Sequence, residues 1–289
     1  MRNKKLSVVI VSYNNLGVIK DCLDSVYAFN DIGDNLEVIV VENSPTNEIY
    51  EVLKKDYPKA IIIKNKNNGF GEGNNVGVRA SSGEYLLFLN PDTILVEEIF
   101  SFAVMQFEND ERLGLFGLKL VDINRKSNMS FYFYDNVGVV HSILIKLLNR
   151  LNIFIDGKMF IAGANIFIRK NLFLEIGMFD ESIFMYCEEA DLTRRLKKKN
   201  MKCKFFSKKS IIHLEGKTNT NNEIALRRRM KSKYYYCNKH NIDFRSRVLQ
   251  ERRYYYFKAI ILLLLFNKRL YRLNIVNAEK LNEFLDWRK

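Results

Sequence analysis

Three carboxylates crowd into one turn of the chain, where Glu188, Glu189 and Asp191 begin a stretch whose apolar spacing predicts a helix over 188–199. The positive end of a helix stabilises acidic residues in its first turn, which is a structural reason for one or two of them. Repulsion among three carboxylates this close raises the pKa of at least one, and such a carboxylate suits general base catalysis. We therefore predict a general base among these three residues.

A further carboxylate, Asp92, follows a hydrophobic stretch on the turn Asn90-Pro91-Asp92. One carboxylate, completed by phosphate oxygens and water, is the usual protein contribution to a Mg²⁺ or Mn²⁺ site on a diphosphate. The same residues also suit an ordinary turn and helix N-cap. His213 ends a short apolar segment, and a lone histidine is more often structural than a ligand unless a carboxylate such as Asp92 lies beside it.

Residues 68–77 are rich in glycine and asparagine, but they do not form a known phosphate-binding motif. Gly71, Gly73 and Gly77 give G-x-G-x-x-x-G, which fails the dinucleotide spacing, and no Gly-Lys-Ser/Thr occurs anywhere in the chain. What remains is a tight loop that leads into a helix and exposes its backbone, which suits close packing against a ligand.

The elements that must position these residues alternate between strands and helices. Apolar runs at 6–11, 36–41, 61–63 and 85–89 are separated by stretches with helical spacing, which predicts βαβ units and a mostly parallel sheet flanked by helices. Polar residues follow every run, among them Ser12, Tyr13, Glu42 and Asn90. Because ligands bind at the carboxyl ends of such strands, these residues are expected to share one polar site.

The rest of the chain is predicted as a mixed region followed by helices. Residues 115–121, 159–168, 202–206 and 210–214 are candidate strands, 131–149 has no clear pattern, and the chain after 223 is helical. We predict a catalytic domain over 1–216, with a nucleotide-binding half (1–110) and an acceptor or catalytic half (111–216). A basic helical extension over 217–289 follows it.

Composition and charge narrow the function further. A 47% hydrophobic chain with three prolines can bury a large core, which excludes a disordered or collagen-like protein. The four cysteines form no C-x-x-C pair, so a reducing compartment is expected, and the short apolar stretch after the first five residues does not suggest secretion.

The charge of the chain is unevenly distributed. Residues 1–193 carry 19 basic and 26 acidic side chains, whereas the remainder carries 27 basic and 7 acidic side chains, a net charge of +20. That excess predicts an anionic partner for the C-terminal end, either nucleic acid or a membrane.

The sequence of the C-terminal part favours a membrane surface over nucleic acid as the anionic partner. Basic and tyrosine-rich stretches at 227–236 and 252–258 precede an apolar run of eight residues at 259–266, which is short of the ~20 needed to span a bilayer. Basic flanks and tyrosines suit a helix lying in an anionic membrane surface. The alternatives are a helix packed on the catalytic domain or across a homodimer. A nucleic-acid-binding protein is the rival function, but the leucine run and the acidic N-terminal part do not fit a polyanion.

Taken together, the motifs resemble the family-2 inverting glycosyltransferases of GT-A fold. The matching segments occur in the family's order across residues 6–216, and they comprise Ser7 to Asn14, Val41 to Ser44, Asn68 to Gly77, Leu89 to Asp92, Ala162 to Asn165, Gly177 to Glu181, Phe184 to Leu192, and His213. Each segment alone is weak evidence for the family, and the order of the segments along the chain is the specific signal.

The resemblance implies a nucleoside-diphosphate-sugar donor and a saccharide or lipid-linked saccharide acceptor. By this resemblance Ser12, Tyr13 and Glu42 hold the nucleoside, with Asn74 lining the same pocket and Asn90 beside the donor. Asp92 takes the place of the family's D-x-D carboxylate on Mg²⁺ or Mn²⁺, and His213 completes the metal shell. Glu189 takes the place of the base, with Asp191 a competitor, because Glu188-Glu189 stands where the family has Glu-Asp. Glu42 likewise replaces an aspartate.

The form Leu-Asn-Pro-Asp at 89–92 is similar to the rhamnosyltransferase-like branch that builds bacterial surface polysaccharides. It favours a dTDP-rhamnose donor, with UDP-linked hexoses close behind. The resemblance and the basic end together imply a cytoplasmic enzyme, peripheral on the inner face of the cell membrane.

Overall fold

The computed structural model describes residues 4–134, 138–214 and 223–287. Its centre is an eight-stranded sheet in the order β3-β2-β1-β4-β9-β6-β10-β5, beside a two-stranded sheet of β7 and β8. The strands are β1 (Leu6–Ser12), β2 (Leu36–Glu42), β3 (Ile61–Lys64), β4 (Tyr85–Leu89), β5 (Thr93–Leu95), β6 (Leu113–Val121), β7 (Phe131–Phe133), β8 (Met159–Ile161), β9 (Asn165–Arg169) and β10 (Lys202–His213).

Helices flank the sheet and follow it. They are α1 (Leu16–Ala28), α2 (Glu48–Asp56), α3 (Phe70–Ala80), α4 (Phe100–Asn109), α5 (Val139–Leu151), α6 (Lys170–Glu175), α7 (Glu188–Lys198), α8 (Glu223–Lys239), α9 (Phe244–Leu264) and α10 (Lys268–Lys280). Short 3-10 turns cover Gly33–Asn35 and Leu281–Phe284.

The sheet is mostly parallel, as predicted. Strands β1 to β4 run parallel to one another, β9 lies antiparallel between β4 and β6, and β10 pairs in parallel with β6 and antiparallel with β5. The carboxyl ends of β1, β2, β3 and β4 therefore meet at one edge, where the polar residues of the predicted site follow them.

Alternation along the strands builds a core on each face of the sheet. On β1, Val8 and Ile10 pack with α1, α2 and α4, whereas Val9 packs on the opposite face with α3, α6 and α7. Successive strand side chains point to opposite faces, so an unbroken apolar run such as 8–11 requires cover on both sides. This double burial explains why the β1 run lacks a polar–apolar alternation.

Two predicted boundaries are wrong. The predicted strand 159–168 is broken into β8 and β9 by a turn at residues 162–164, because its two halves pair in different sheets: β8 with β7, and β9 with β4 and β6. The predicted strands 202–206 and 210–214 form the single strand β10, whose register with β6 shifts between Phe206 and Ser210. The unclear region 131–149 contains β7 and α5. The predicted domain boundary at 216/217 falls outside the described residues.

The helical extension is present and docks on the catalytic part of the chain. Met230 and Tyr236 of α8 and Val248 of α9 form a third buried cluster together with Ala190 of α7. Ion pairs support this contact, since the Lys239 Nζ lies 2.6 Å from Asp180 Oδ2 and 2.8 Å from Asp191 Oδ1. Helix α8, the first described helix of the extension, is therefore packed against the helix that carries the predicted base.

Candidate functional site

A cleft of about 760 Å³ gathers residues from distant parts of the sequence. Asn90 follows β4, Gly163 lies in the turn between β8 and β9, Glu189 belongs to the first turn of α7, and His213 ends β10. Three separate elements thus bring the predicted site residues Asn90, Glu189 and His213 to one cavity, whereas Ser12, Tyr13 and Glu42, which were expected to share a site with Asn90, do not line it.

Glu189 faces this cleft against a glycine. A Cβ added at Gly163 would lie 2.2 Å from Glu189 Oε1, so only glycine allows the carboxylate this position. Burial raises the pKa of the Glu189 carboxyl above its usual range, although hydrogen bonds from the backbone N–H groups of Glu189 and Gly163 oppose that rise. A carboxylate with a raised pKa at the wall of a cleft has the properties of a general base.

The backbone that leads into α7 is unusual. Tyr186 and Cys187 have φ angles of 71° and 75°, in the left-handed region that side-chain-bearing residues seldom adopt. Such strain persists only where the surrounding structure holds it, and it is concentrated at functional sites. Here it aims the first turn of α7 so that Glu189 faces the cleft while its neighbours Glu188 and Asp191 are buried.

Asp191 and Glu188 have different surroundings from Glu189. Asp191 is fully buried, with Arg195 Nε 2.8 Å from its Oδ2 and both Lys239 Nζ and His240 Nε2 2.8 Å from its Oδ1. Glu188 is also buried, and its Oε2 has no hydrogen-bond partner in the described part of the chain. Burial and the charge of Glu189 raise the pKa of Glu188 well above its usual range.

Asp92 and His213 meet beside the cleft, with 3.2 Å between Asp92 Oδ1 and His213 Nε2. The antiparallel pairing of His213 with Thr93, and the hydrogen bond from the Leu214 N–H to the Asp92 carbonyl, hold them together. A carboxylate oxygen and an imidazole nitrogen that converge in this way fit Mn²⁺, which accepts both donors. Within 4–134, 138–214 and 223–287 no group of three or more His, Cys, Asp or Glu could hold a metal ion. Phosphate oxygens and water would have to complete the shell.

A shallower depression of about 610 Å³ lies at the ends of β1, β2 and β3. Tyr13 lines it with an exposed side chain, together with Asn43, Ser44 and Asn65. Two predicted nucleoside residues are buried instead. The Ser12 hydroxyl donates to Asn15 Oδ1 at 3.0 Å, and Glu42 Oε1 accepts from the Ser44 N–H at 2.6 Å. The depression suits a flat polar ligand stacked on Tyr13.

Of the two predicted asparagines, Asn74 is buried and Asn90 lines the cleft. The Asn74 amide is buried in α3 and donates to the Phe70 carbonyl at 2.9 Å. Asn90 lines the cleft, and its backbone N–H donates to the Ala164 carbonyl at 3.0 Å. The hydrogen bond between Asn90 and Ala164 joins the end of β4 to the turn that contacts Glu189.

Several residues that line the cleft were not predicted as site residues. Arg229 and Lys233 of α8, Tyr254 of α9 and Lys146 of α5 lie on its walls, and its aromatic lining includes Tyr132, Phe160 and Tyr186. The i, i+4 spacing of Arg229 and Lys233 places them on one helix face. Nothing in that spacing indicates which element this face would meet.

Comparison with known proteins gives a consistent match. The family model described as glycosyl transferase family 2 matches residues 7–177. The rhamnosyltransferase WbbL of Escherichia coli is 25% identical over 205 residues, which cover 65% of this chain and 75% of WbbL. The hexosyltransferase Agl10 of low-salt glycan biosynthesis in Haloferax volcanii is 25% identical over 204 residues, which cover 68% of this chain and 62% of Agl10.

Among solved structures, the mannosyltransferase PcManGT from Pyrobaculum calidifontis, in complex with GDP-Man and Mn²⁺, has a similar fold. Its TM-score is 0.63 with 13% identity, and the match covers 98% of this chain and 86% of PcManGT. At that identity the likeness concerns the fold alone, and it confirms the predicted α/β architecture.

Proposed function

This chain belongs to glycosyl transferase family 2, and from that premise we propose that it transfers a sugar, with inversion, from a nucleoside-diphosphate-sugar to a saccharide hydroxyl. The observation that carries this proposal is the convergence of Glu189 and His213 in one cleft, with Asp92 paired to His213. An inverting displacement requires a base for the acceptor hydroxyl and charge stabilisation for the departing diphosphate. These residues offer both.

Glu189 is the proposed general base. It lines the cleft, burial raises its pKa, and the Gly163 N–H orients its carboxylate. As a base it accepts the proton of the attacking hydroxyl while the bond to the leaving diphosphate breaks. Asp191 is the weaker candidate, since Arg195, Lys239 and His240 already occupy its oxygens.

Asp92 and His213 are the proposed ligands of Mg²⁺ or Mn²⁺, with Mn²⁺ favoured by the imidazole. Such an ion neutralises charge on a departing diphosphate. The presence of Mn²⁺ with GDP-Man in PcManGT is in keeping with this assignment. Asn90, at the end of β4 and on the cleft wall, would contact the donor beside them.

The nucleoside is proposed to bind in the depression that Tyr13 lines. Its exposed ring offers a stacking surface. Glu42 is fully buried and accepts from the Ser44 N–H through its Oε1, so it is proposed to hold the Ser44 backbone in place at the wall of this pocket. Ser12 and Asn74 are proposed to shape this pocket from within, because their side chains are buried.

The donor is proposed to be dTDP-rhamnose, ahead of UDP-linked hexoses, for an acceptor used in bacterial cell-surface polysaccharide synthesis. Two observations support this choice: the Leu-Asn-Pro-Asp segment at 89–92 and the match to the rhamnosyltransferase WbbL. The aromatic lining of the cleft suits a sugar acceptor, because the apolar faces of sugar rings pack on aromatic side chains.

The acceptor is proposed to be reached at an anionic membrane surface on the cytoplasmic side. Apolar side chains near the junction of α9 and α10 are exposed and flanked by Lys258, Lys268 and Arg269. They are Ile260, Ile261, Leu263, Leu264, Leu265, Phe266, Leu270 and Leu273. No helix in the described part of the chain is long and apolar enough to cross a membrane. Basic flanks around such a patch suit an interfacial segment.

A donor screen tests the proposed function. Thermal shift and nucleotide release are measured with dTDP-rhamnose and with UDP-, GDP- and CMP-linked sugars, with and without Mn²⁺. We expect stabilisation and nucleotide release with dTDP-rhamnose in the presence of Mn²⁺. A response to a UDP-sugar alone would overturn the donor assignment, and no response to any donor would overturn the proposed activity.

A further inference from the structure

Two cations of the C-terminal extension lie on the wall of the catalytic cleft. Arg229 and Lys233, one turn apart on α8, line the same cavity as Glu189 and His213. Their side chains are 29% and 16% exposed, so both charges are largely removed from water. Residues 223–287 lie outside residues 7–177, the part of the chain that the family model matches.

The charge of this wall is only partly balanced. Arg229 Nη1 lies 2.6 Å from Glu251 Oε1, and Lys233 Nζ contacts Glu251 Oε2. Glu251 on α9 is 5% exposed. Burial alone would raise the pKa of Glu251, but Lys233 and Arg229 outweigh it and lower that pKa to about 2. One ionised carboxylate thus faces two cations, and one positive charge remains in excess.

A third cation adds to this excess. Lys146 of α5 also lines the cleft, and Glu189 is the one acidic side chain among the described residues that line it with these three cations. Placing a positive charge away from water costs free energy unless a partner compensates it. Glu251 also fixes the directions of Arg229 and Lys233 before any ligand arrives, which reduces the entropy lost on binding.

From this geometry we propose that Arg229 and Lys233 form a phosphate-binding site on the wall of the catalytic cleft. Guanidinium and ammonium groups donate strong, charge-assisted hydrogen bonds to phosphate oxygens. If the proposed function holds, two substrates can bring this phosphate: the diphosphate of the donor, or a phosphate that carries the acceptor sugar. In the second case the extension selects acceptors whose sugar is attached to phosphate.

Binding to three probes tests the site by calorimetry on the full chain. Inorganic pyrophosphate reports on phosphate binding itself, dTDP with Mn²⁺ represents the donor, and decyl phosphate represents a phosphate-linked acceptor. We expect Arg229→Gln and Lys233→Gln to weaken pyrophosphate binding by about tenfold or more, because each loses a charge-assisted hydrogen bond. The probe that loses affinity alongside pyrophosphate identifies the source of the phosphate.

Two further variants serve as controls. Lys231→Gln removes the same charge from an exposed position on α8 and should leave all three affinities unchanged, whereas Lys233→Arg should retain pyrophosphate binding. No measurable binding of pyrophosphate to the unaltered chain would overturn the site. So would affinity within about twofold of the unaltered chain in both glutamine variants, or an equal loss in Lys231→Gln.

The proposed function and this site can fail separately. A chain that binds pyrophosphate through Arg229 and Lys233 but releases nucleotide from no donor would contradict the proposed function alone. Sugar transfer by a chain whose glutamine variants bind pyrophosphate normally would contradict the phosphate site alone.

Discussion

At the scale of single residues, three neighbouring acids on α7 have three different environments. Glu189 faces the cleft, Asp191 is held by Arg195, Lys239 and His240, and Glu188 is buried with an oxygen that has no partner among the described residues. Their chemistry therefore differs although their types and positions in the sequence are nearly the same. Environment sets the pKa and the accessibility of a carboxylate.

Glu189→Gln is expected to reduce sugar transfer by about a hundredfold to ten-thousandfold, the contribution of a general base. Donor affinity should not change, because the amide keeps the shape of the side chain. In the unaltered chain the rate should fall as pH drops through the raised pKa of Glu189, since the protonated acid cannot accept a proton. Steady-state rates across pH and donor titrations check both points. Retained turnover in the variant would move the base to Asp191.

Asp92→Asn is expected to weaken Mn²⁺-dependent donor binding by about tenfold or more, because an amide is a poorer metal ligand than a carboxylate. Donor titrations with Mn²⁺ measure the effect. The control is the same titration in EDTA, where the variant and the unaltered chain should agree. Equal affinity with Mn²⁺ would remove Asp92 from the metal site.

Glu188→Gln is expected to increase the free energy of unfolding at pH values above the ordinary pKa of a glutamate and to have little effect below it. The fold raises the pKa of Glu188, so the folded chain favours the protonated carboxyl. The chain therefore loses stability as pH rises through this raised pKa. The gain should therefore grow with pH, reaching about 1 kcal/mol or more for a buried unpaired charge. Denaturant unfolding at several pH values measures it. A gain that did not depend on pH would contradict the assignment.

At the scale of elements, the loop before α3 and the loop before α7 lock together. Gly69 has a φ of 124°, and a Cβ at this position would lie 2.4 Å from the Phe184 carbonyl oxygen. The Phe70 N–H donates to that same oxygen at 2.9 Å. The glycine-rich motif at 68–77 thus supports the strained approach to α7, rather than presenting glycines to the cleft.

Gly69→Ala is expected to destabilise the chain by about 2–4 kcal/mol, from the positive φ and the clash with the Phe184 backbone. Transfer activity should fall as well, because the displaced loop leads to Glu189. Gly17→Ala is the matched control: a Cβ there meets nothing within 4 Å, and alanine favours the helix α1. Thermal unfolding and steady-state rates compare the two. Equal stability of both variants would contradict the interlocked loops.

At the scale of the whole molecule, the helices of the basic C-terminal part have two different environments. The basic helix α8 packs on α7 and brings Arg229 and Lys233 to the cleft. The junction of α9 and α10 instead leaves an apolar patch uncovered, with Leu264 72% and Phe266 90% exposed. One alternative for the extension, packing on the catalytic domain, therefore holds for α8, whereas contact of the α9–α10 patch with a membrane stays a prediction.

Leu264→Ser combined with Phe266→Ser is expected to reduce flotation with liposomes that contain phosphatidylglycerol, because it removes the apolar surface available for insertion. Ile123→Ser, which alters an exposed apolar residue outside the C-terminal helices, should float like the unaltered chain. Unchanged flotation of the double variant would contradict membrane contact at this patch. A change in sedimenting mass without a change in flotation would indicate a homodimer instead. A gel shift on single-stranded DNA would indicate nucleic acid as the partner.

The sequence alone determined the alternating elements, the mostly parallel sheet and the ordered family motifs, because periodicity and strand-end polarity are local properties of a chain. Only the tertiary structure decided which of Glu188, Glu189 and Asp191 reaches the cleft, since burial depends on contacts with Gly163 and α8. It also decided that Arg229 and Lys233 meet that cleft. Helical spacing defines a face, but packing between distant segments decides what the face meets.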